Sequence, residues 1–407
     1  MNNLPNKNCT GCSACVQKCP KQCISMIANE EGFLYPQVDS NQCIHCNLCE
    51  KVCPILNKNE CKQPIQIYIG HNLDDRVVSQ SSSGGIFTLL AERIIEEGGV
   101  VFGARFNEHW EVIHDYIESS KDLSLLRGSK YVQSNIGKSY LKVQSFLKSG
   151  RKVLFSGTPC QIAGLKKFLH IEYENLLTID FICHGVPSPI VWKRYLQEFT
   201  IRNKLSSNVS HSYIDNDNKY FITSISFRDK TCGWKNYSLN IISSSNQKTN
   251  PIPLQESLNE NCFLKGFIHN LYLRPSCHNC QMKSWSSNSD ITLADAWGIW
   301  NEHPELDNDK GSSIITILSY KGEKYFKSIY ECGSFVIENE DFILKYNPAA
   351  YHSAKSHKNR KKFFKLFTNP QYTFSEIIYK CLPQPSLMEK VIWSINRRIK
   401  KYAKRQS

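Results

Sequence analysis

Two copies of one cysteine pattern stand within the first 53 residues: Cys9, Cys12, Cys15 and Cys19 followed by Pro20, then Cys43, Cys46, Cys49 and Cys53 followed by Pro54. Each copy offers three closely spaced thiolates for one iron–sulfur cube and a fourth that reaches the other cube. The predicted ligand sets are therefore crossed. Cys9, Cys12, Cys15 and Cys53 would hold one [4Fe–4S] cluster; Cys43, Cys46, Cys49 and Cys19 would hold a second. Pro20 and Pro54 turn the chain away after each crossing ligand, because proline cannot continue a helix. Structural zinc is the competing account, but a zinc ion takes four ligands and seldom uses this triple spacing twice. The chemistry implied is one-electron transfer.

A further pair, Cys277 and Cys280, lies in Arg274-Pro275-Ser276-Cys277-His278-Asn279-Cys280. Alone it is half a site, and a zinc knuckle or a redox disulfide fits equally well. With Cys160 and Cys183 it makes four thiolates, enough for a third cubane, with Cys232 and Cys262 as competing ligands. Cys23, Cys61, Cys332 and Cys381 stand apart and read as small buried hydrophobes or surface thiols. Ser82-Ser83-Gly84-Gly85 ahead of an apolar helical pattern could cradle a phosphate at a helix N-terminus, or simply cap that helix. Arg127–Ser134, with Lys130, Gln133 and Ser134, could clamp a dinucleotide's phosphates or form a solvated turn. His184 could donate a proton or cap the turn after it, the cap being the simpler reading. Asp295 and Trp297 could line a pocket, although periodicity favours a buried tryptophan beside a turn-capping aspartate.

These residues need elements to bring them together. Residues 1–57 read as a ferredoxin-like module whose Glu31–Asp39 forms a connecting hairpin, and residues 57–64 as a linker. Two strand–loop–helix units follow later. Lys152–Ser156 is a strand before the Gly157–Cys160 turn and a helix from Gln161. Leu176–Ile182 is a strand before Cys183–Ser188 and a helix that Pro189 opens. Consecutive units of this kind give parallel neighbours, so Cys160 and Cys183 should share one sheet rim. Residues 200–260 read as a β-insertion.

The composition sets bounds. With 407 residues, 41% hydrophobic and 21% charged, the chain is long enough for two or three globular domains. Eighteen cysteines with no signal-peptide pattern point to the cytoplasm and to metal ligation rather than disulfides. The formal charge of +13 is concentrated: residues 351–407 carry 14 Lys/Arg against 2 Asp/Glu. Loaded cubanes would make the rest acidic, so nucleic acid is not an expected partner. In Met388–Arg405, Val391, Ile392, Ile395, Ile399 and Tyr402 recur at helical spacing, while Arg397, Arg398, Lys400, Lys401, Lys404 and Arg405 supply cations. This predicts either a packed terminal helix or a peripheral contact with an anionic membrane.

Taken in order, Ser83–Thr88, Gly128–Ser134, Gly157-Thr158-Pro159-Cys160-Gln161, Asp180–Ser188, Arg274–Cys280 and Asp290-Ile291-Thr292-Leu293 resemble the coenzyme F420 hydrogenase/dehydrogenase beta-subunit family, in the branch with a fused two-cluster ferredoxin module. The 7-hydroxymethyl chlorophyll a reductase looks like a relative. The resemblance implies FAD beside a [4Fe–4S] cluster held by Cys160, Cys183, Cys277 and Cys280. It implies flavin contacts from Ser82, Ser83, Gly84, Gly85, Thr88, Lys130, Gln133 and Ser134. Ala294-Asp295-Ala296-Trp297-Gly298 departs from the family's Gly-Asp-Phe-Trp-Gly. The expected architecture is an α+β ferredoxin-like module (1–57), then an α/β flavin- and iron–sulfur-binding body with β insertions (65–150 and 151–350), then a helical basic tail (351–407). The expected function is electron transfer from a ferredoxin-like or other redox protein to a small organic substrate, with cell-surface polysaccharide synthesis as the family's context. A subunit that serves a partner enzyme is the alternative.

Overall fold

The computed structural model describes residues 4–203, 220–245 and 252–383; the amphipathic pattern at 388–405 lies outside them. In the N-terminal module, β1 (Ile24–Ala28) pairs antiparallel with β2 (Leu34–Val38). The hairpin expected within Glu31–Asp39 is thus made from both flanks, with Glu31 in its turn and Gly32 at φ +79°. Two short helices, Ala14–Lys18 and Leu48–Lys51, start at equivalent places in the two cysteine repeats. Each is preceded by a left-handed residue, Ser13 at φ 61° and Asn47 at φ 57°. That reversal wraps each cysteine triplet around its own centre.

The body is built on β3 (Gln66–Asn72), β4 (Val100–Phe106), β5 (Val112–Ile117), β6 (Val153–Ser156) and β7 (Leu176–Phe181). After an antiparallel insertion of β8 (Tyr220–Asp229), β9 (Ser238–Ser245) and β10 (Ile252–Ser257), the chain adds β11 (Ile291–Asp295), β12 (Ser313–Ile317) and β13 (Gly333–Glu338). The eight-stranded sheet runs β13-β3-β12-β11-β7-β6-β4-β5. Its central β4, β6, β7 and β11 are parallel, and the outer pairings are antiparallel. The central strands are covered on both faces, which is why they read as continuous apolar runs. Leu154, Leu177 and Ile179 meet Leu90 and Ile94 of the Ile86–Glu96 helix on one face. Val153, Phe155 and Leu176 meet Tyr140, Ile162 and Phe168 on the other.

Residues 360–381, within the stretch expected as a helical basic tail, pack against the body. The helices Arg360–Phe367 and Phe374–Cys381 bury Phe363, Phe367, Phe374 and Ile377 in one core with Phe263 and Tyr272. Their apolar stripe packs even though the stretch is basic in composition. Among the described residues no helix is long and apolar enough to cross a membrane.

One buried titrating group links the core to pH. His114 is 6% exposed; its Nε2 faces the Ser156 carbonyl at 2.7 Å and its Nδ1 faces Ser134 Oγ at 3.0 Å. This network suits a neutral ring with the proton on Nε2. Burial pushes its pKa from 6.5 down to about 4. The unfolded chain therefore binds the extra proton across that window, and stability falls as pH drops from 6.5 toward 4. At pH 5 the expected loss from this group is roughly 2 kcal/mol relative to pH 8. Denaturant unfolding at both pH values should show that difference shrinking in His114→Gln.

Candidate iron–sulfur relay

Cys160 lies in the first turn of the Pro159–Leu169 helix directly after β6, and Cys183 lies two residues beyond β7. Because these strands are parallel neighbours, both thiols reach the same rim. Thr158 closes a capping box with Gln161, which fixes the Cys160 turn. The third and fourth thiols arrive by a separate stitch. The Pro187–Leu273 bridge, with Ser188 N–H donating to the Tyr272 carbonyl at 3.1 Å and Arg274 N–H to the Val186 carbonyl at 3.0 Å, lays the strand before Cys277 along the Cys183 loop. Gly185 sits at φ +146°, where a Cβ would fall 2.8 Å from Leu273 Cδ1 and 3.3 Å from Cys277 Cβ. Only glycine permits that approach.

Cys160, Cys183, Cys277 and Cys280 line one cavity of about 50 Å³ together with Thr10, Asp180, His184 and Lys283. A single water needs about 10–15 Å³ of such space, so the cavity takes a multi-atom group rather than one ion. Among the described residues, no set of three or more His, Cys, Asp or Glu is arranged to hold a single metal ion. The Thr10 hydroxyl is buried without a conventional hydrogen-bond partner and lies against Cys160. A cubane would supply both the bulk and a sulfide acceptor for that hydroxyl, so the donor set fits the group. Burial raises the thiol pKa of Cys160 and Cys183 and pushes Cys277 up to about 12. Cys232 is exposed near Asp309, and Cys262 packs at the edge of the aromatic core. Neither lines this cavity.

The N-terminal thiols sort into two groups. Cys19, Cys43, Cys46 and Cys49 line a cavity of about 20 Å³. Cys12 and Cys15 feel the charges of Cys9 and Cys53 once burial has raised their pKa, Cys15 to about 12. Cys15 also feels Cys49 and packs with Cys19, Cys43 and Cys49, so the two groups adjoin one another. Cys23, read as an isolated thiol, also lines the first of these cavities, with its Sγ 3.4 Å from that of Cys19. Its distance of only four residues from Cys19 was the available signal.

The groups stand in series. Cys46 is exposed at the outer end. Cys53 packs with Ala163 and Met282 in an apolar cluster that Cys160 and Cys280 border. Gly164 lets the Pro159–Leu169 helix touch the module: a Cβ there would lie 2.9 Å from Cys12 Cβ and 3.0 Å from its Sγ. Lys18 Nζ donates to the Phe168 carbonyl at 3.0 Å, and Arg360 grips Glu31 through both carboxylate oxygens at 2.5 and 2.6 Å.

The side chains assigned to a flavin do other work. Ser82 Oγ accepts from Ser129 N–H at 2.7 Å, and Ser83 Oγ donates to the Ser312 carbonyl at 2.6 Å. A Cβ on Gly84 would meet the Gly70 carbonyl at 2.6 Å and Ser313 N at 2.9 Å, so this glycine is required by strand packing. Gly85 is the left-handed cap of the Ile86–Glu96 helix, and Thr88 Oγ1 accepts from Arg127 Nε at 3.1 Å. Lys130 Nζ donates to the carbonyls of Leu125, Leu126 and Arg127, while burial pulls its pKa to about 7. Gln133 Nε2 donates to the Thr10 carbonyl at 2.9 Å, and Ser134 Oγ accepts from Gln161 Nε2 at 2.8 Å. Gln133 therefore holds an N-terminal cysteine loop, and Ser134 supports the Cys160 turn.

The two candidates for proton chemistry also move. His184 does not cap its own turn: its Nε2 meets Asn270 Oδ1 at 2.6 Å, and the ring stands edge-on to Phe267 at 5.2 Å. Asp295 takes both forks of buried Arg228, at 2.8 and 3.1 Å, and the Trp234 indole N–H at 3.1 Å. Trp234 stacks on Trp297 at 4.7 Å. Asp180, quoted in the sequence without a role, lines the four-cysteine cavity. Burial raises its carboxyl to about 6, against the lowering pull of bonds from Ser287 and Thr292.

Residues 150–341 match the family model for the C-terminal part of the coenzyme F420 hydrogenase/dehydrogenase beta subunit, and residues 8–56 match the 4Fe-4S dicluster domain. No curated protein matches the chain. Among solved structures, the F420-reducing [NiFe] hydrogenase complex from Methanosarcina barkeri is similar, at 17% identity and a TM-score of 0.44, over 79% of this chain and 91% of that one.

Proposed function

We infer from site and family together that this chain, which belongs to the coenzyme F420 hydrogenase/dehydrogenase beta-subunit family and carries a dicluster module at its N-terminal end, is a three-cluster iron–sulfur oxidoreductase. The observation that carries the reading is the common cavity of Cys160, Cys183, Cys277 and Cys280 behind the two N-terminal thiol groups. In this reading Cys19, Cys43, Cys46 and Cys49 hold the outer cluster, Cys9, Cys12, Cys15 and Cys53 the middle one, and the four body cysteines the inner one. Bound clusters supply one-electron storage at each point. The protein's share is to bury the inner thiols, exclude water and fix the spacing through Gly164, Lys18 and Arg360. The exposed Cys46 end suits a ferredoxin-like donor, and a small organic molecule is the final acceptor.

FAD belongs to this proposal as a component to be measured, with no residues assigned to it. A cavity of about 840 Å³, within the range of organic-ligand sites, opens between Gly11, Trp110, Gln133 and Ile190. It borders the Cys9–Cys12 loop, and none of the four body cysteines lines it. The cell-surface polysaccharide context stays part of the reading as a source of substrates.

Anaerobically purified or reconstituted protein should contain about twelve iron atoms per chain, four for each cubane. Loading should also rise with pH. Ligating thiols must lose their protons, and burial holds several of them above the ordinary cysteine value, so assembly releases protons. Iron and sulfide assays after reconstitution at pH 7 and 8.5 check both points. About eight iron atoms would leave only the dicluster module.

A further inference from the structure

Resting on the three-cluster reading, we propose that Arg274 is a positioning and charge-tuning residue that ties the middle ligand loop to the inner one. Arg274 is wholly buried, three residues before Cys277. Its Nε donates to the carbonyl of Cys9 at 2.7 Å, its Nη1 to Gln133 Oε1 at 2.9 Å and its Nη2 to the Leu34 carbonyl at 2.8 Å. Gln133 in turn donates to the Thr10 carbonyl, so two consecutive carbonyls of the Cys9–Cys12 loop are held by one clamp. Gly11 completes the fit. At φ +73° it passes so close that a Cβ would lie 2.8 Å from Arg274 Nη1 and 3.1 Å from Gln133 Nε2.

Charge points the same way. The planar guanidinium stays cationic, and a buried cation is costly unless an anion answers it. No carboxylate pairs with Arg274 among the described ion pairs; Glu31, the nearby acid, is taken by Arg360. Tyr35 offers its ring face, 4.4 Å from the guanidinium carbon. Arg274 lines the four-cysteine cavity together with Cys160 and Cys277. The anions that answer Arg274 are therefore the thiolate-ligated clusters on either side of it. A fixed cation there stabilises each added electron and raises the reduction potential. The same fork fixes the gap the electron must cross.

Full-length cluster-loaded protein should be titrated with a reductant and followed by electron paramagnetic resonance. Wild type must first show about twelve iron atoms and three reducible clusters; fewer would refute the three-cluster reading rather than the role of Arg274. Arg274→Gln should keep its iron, lower the midpoint potentials of the inner and middle clusters, and weaken the magnetic interaction between them. Arg274→Lys keeps the charge without the fork and should move the potentials less while losing the interaction. Unchanged potentials and unchanged interaction in Arg274→Gln would overturn the assignment. Should Arg274→Gln fail to accumulate, Gln133→Leu keeps the cation and removes one arm of the clamp. It should weaken the interaction, and an unchanged spectrum there would equally overturn the proposal.

Discussion

Cys277→Ser should purify with about two thirds of the wild-type iron and with the spectrum of the N-terminal clusters intact. Serine nearly matches cysteine in size, so the loop held by Arg274 and the bridge to Val186 stays in place. What is lost is a soft thiolate at a corner that the remaining three thiols cannot cover. Burial raises the thiol pKa of Cys160 and Cys183, which become neutral. Cys232→Ser is the matched control. That thiol is exposed and remote from the cavity, so its removal should cost no iron. Full iron content in Cys277→Ser would end the ligand assignment, and loss in Cys232→Ser would redirect it.

Gly164→Val should have a comparable effect on a different cluster. The added Cβ would begin 2.9 Å from Cys12 Cβ and 3.0 Å from both Cys12 Sγ and the Tyr140 hydroxyl, before either methyl is counted. Helix propensity is no obstacle, because valine is a better helix former than glycine. The damage is therefore overpacking, typically 1–3 kcal/mol or more, exerted against a ligand sulfur. Iron should fall by about a third through loss of the middle cluster, and the segment 57–64 should become easier to cleave as the module lifts from the body. Gly164→Ala should be intermediate. Wild-type iron content and cleavage rate in Gly164→Val would show that the contact is dispensable.

How much of this was legible depended on how local each signal was. The paired cysteine repeats and the β6 and β7 units declare themselves within ten or twenty residues, and they place Cys160 and Cys183 on one rim. Cys277 joins them through the Pro187–Leu273 bridge, which has no local signature; ordered family motifs supplied it instead. The flavin reading rests on another local signal. Serine, glycine and lysine before a helix suggest an anion whatever their partners, and here the partners are Ser312, Ser129 and three carbonyls distant in sequence or hidden by the turn. Gln133 and Ser134 also support the Cys9 loop and the Cys160 turn, contacts that no local pattern announces. Lys230, with its Nζ on the carbonyls of Val78, Ser83 and Lys310, lay in the insertion, where nothing in composition marked it.

The grip of Arg360 on Glu31 has a consequence in time. At a synthesis rate of about 5–20 residues per second, Arg360 leaves the ribosome roughly 15–60 seconds after the cysteine repeats are complete. Arg274, with its bonds to the Cys9 and Leu34 carbonyls, also follows by many seconds. During that interval the first 57 residues carry nine thiols with none of the body's surface over them. The nascent module must either receive its metal early, shielding itself by its own ligation, or be escorted until the last clamp arrives. Chains stopped after residue 60 and after residue 360 would therefore differ in how readily oxygen or a thiol-alkylating reagent reaches Cys12, and the order of metal insertion during translation can be read from that difference.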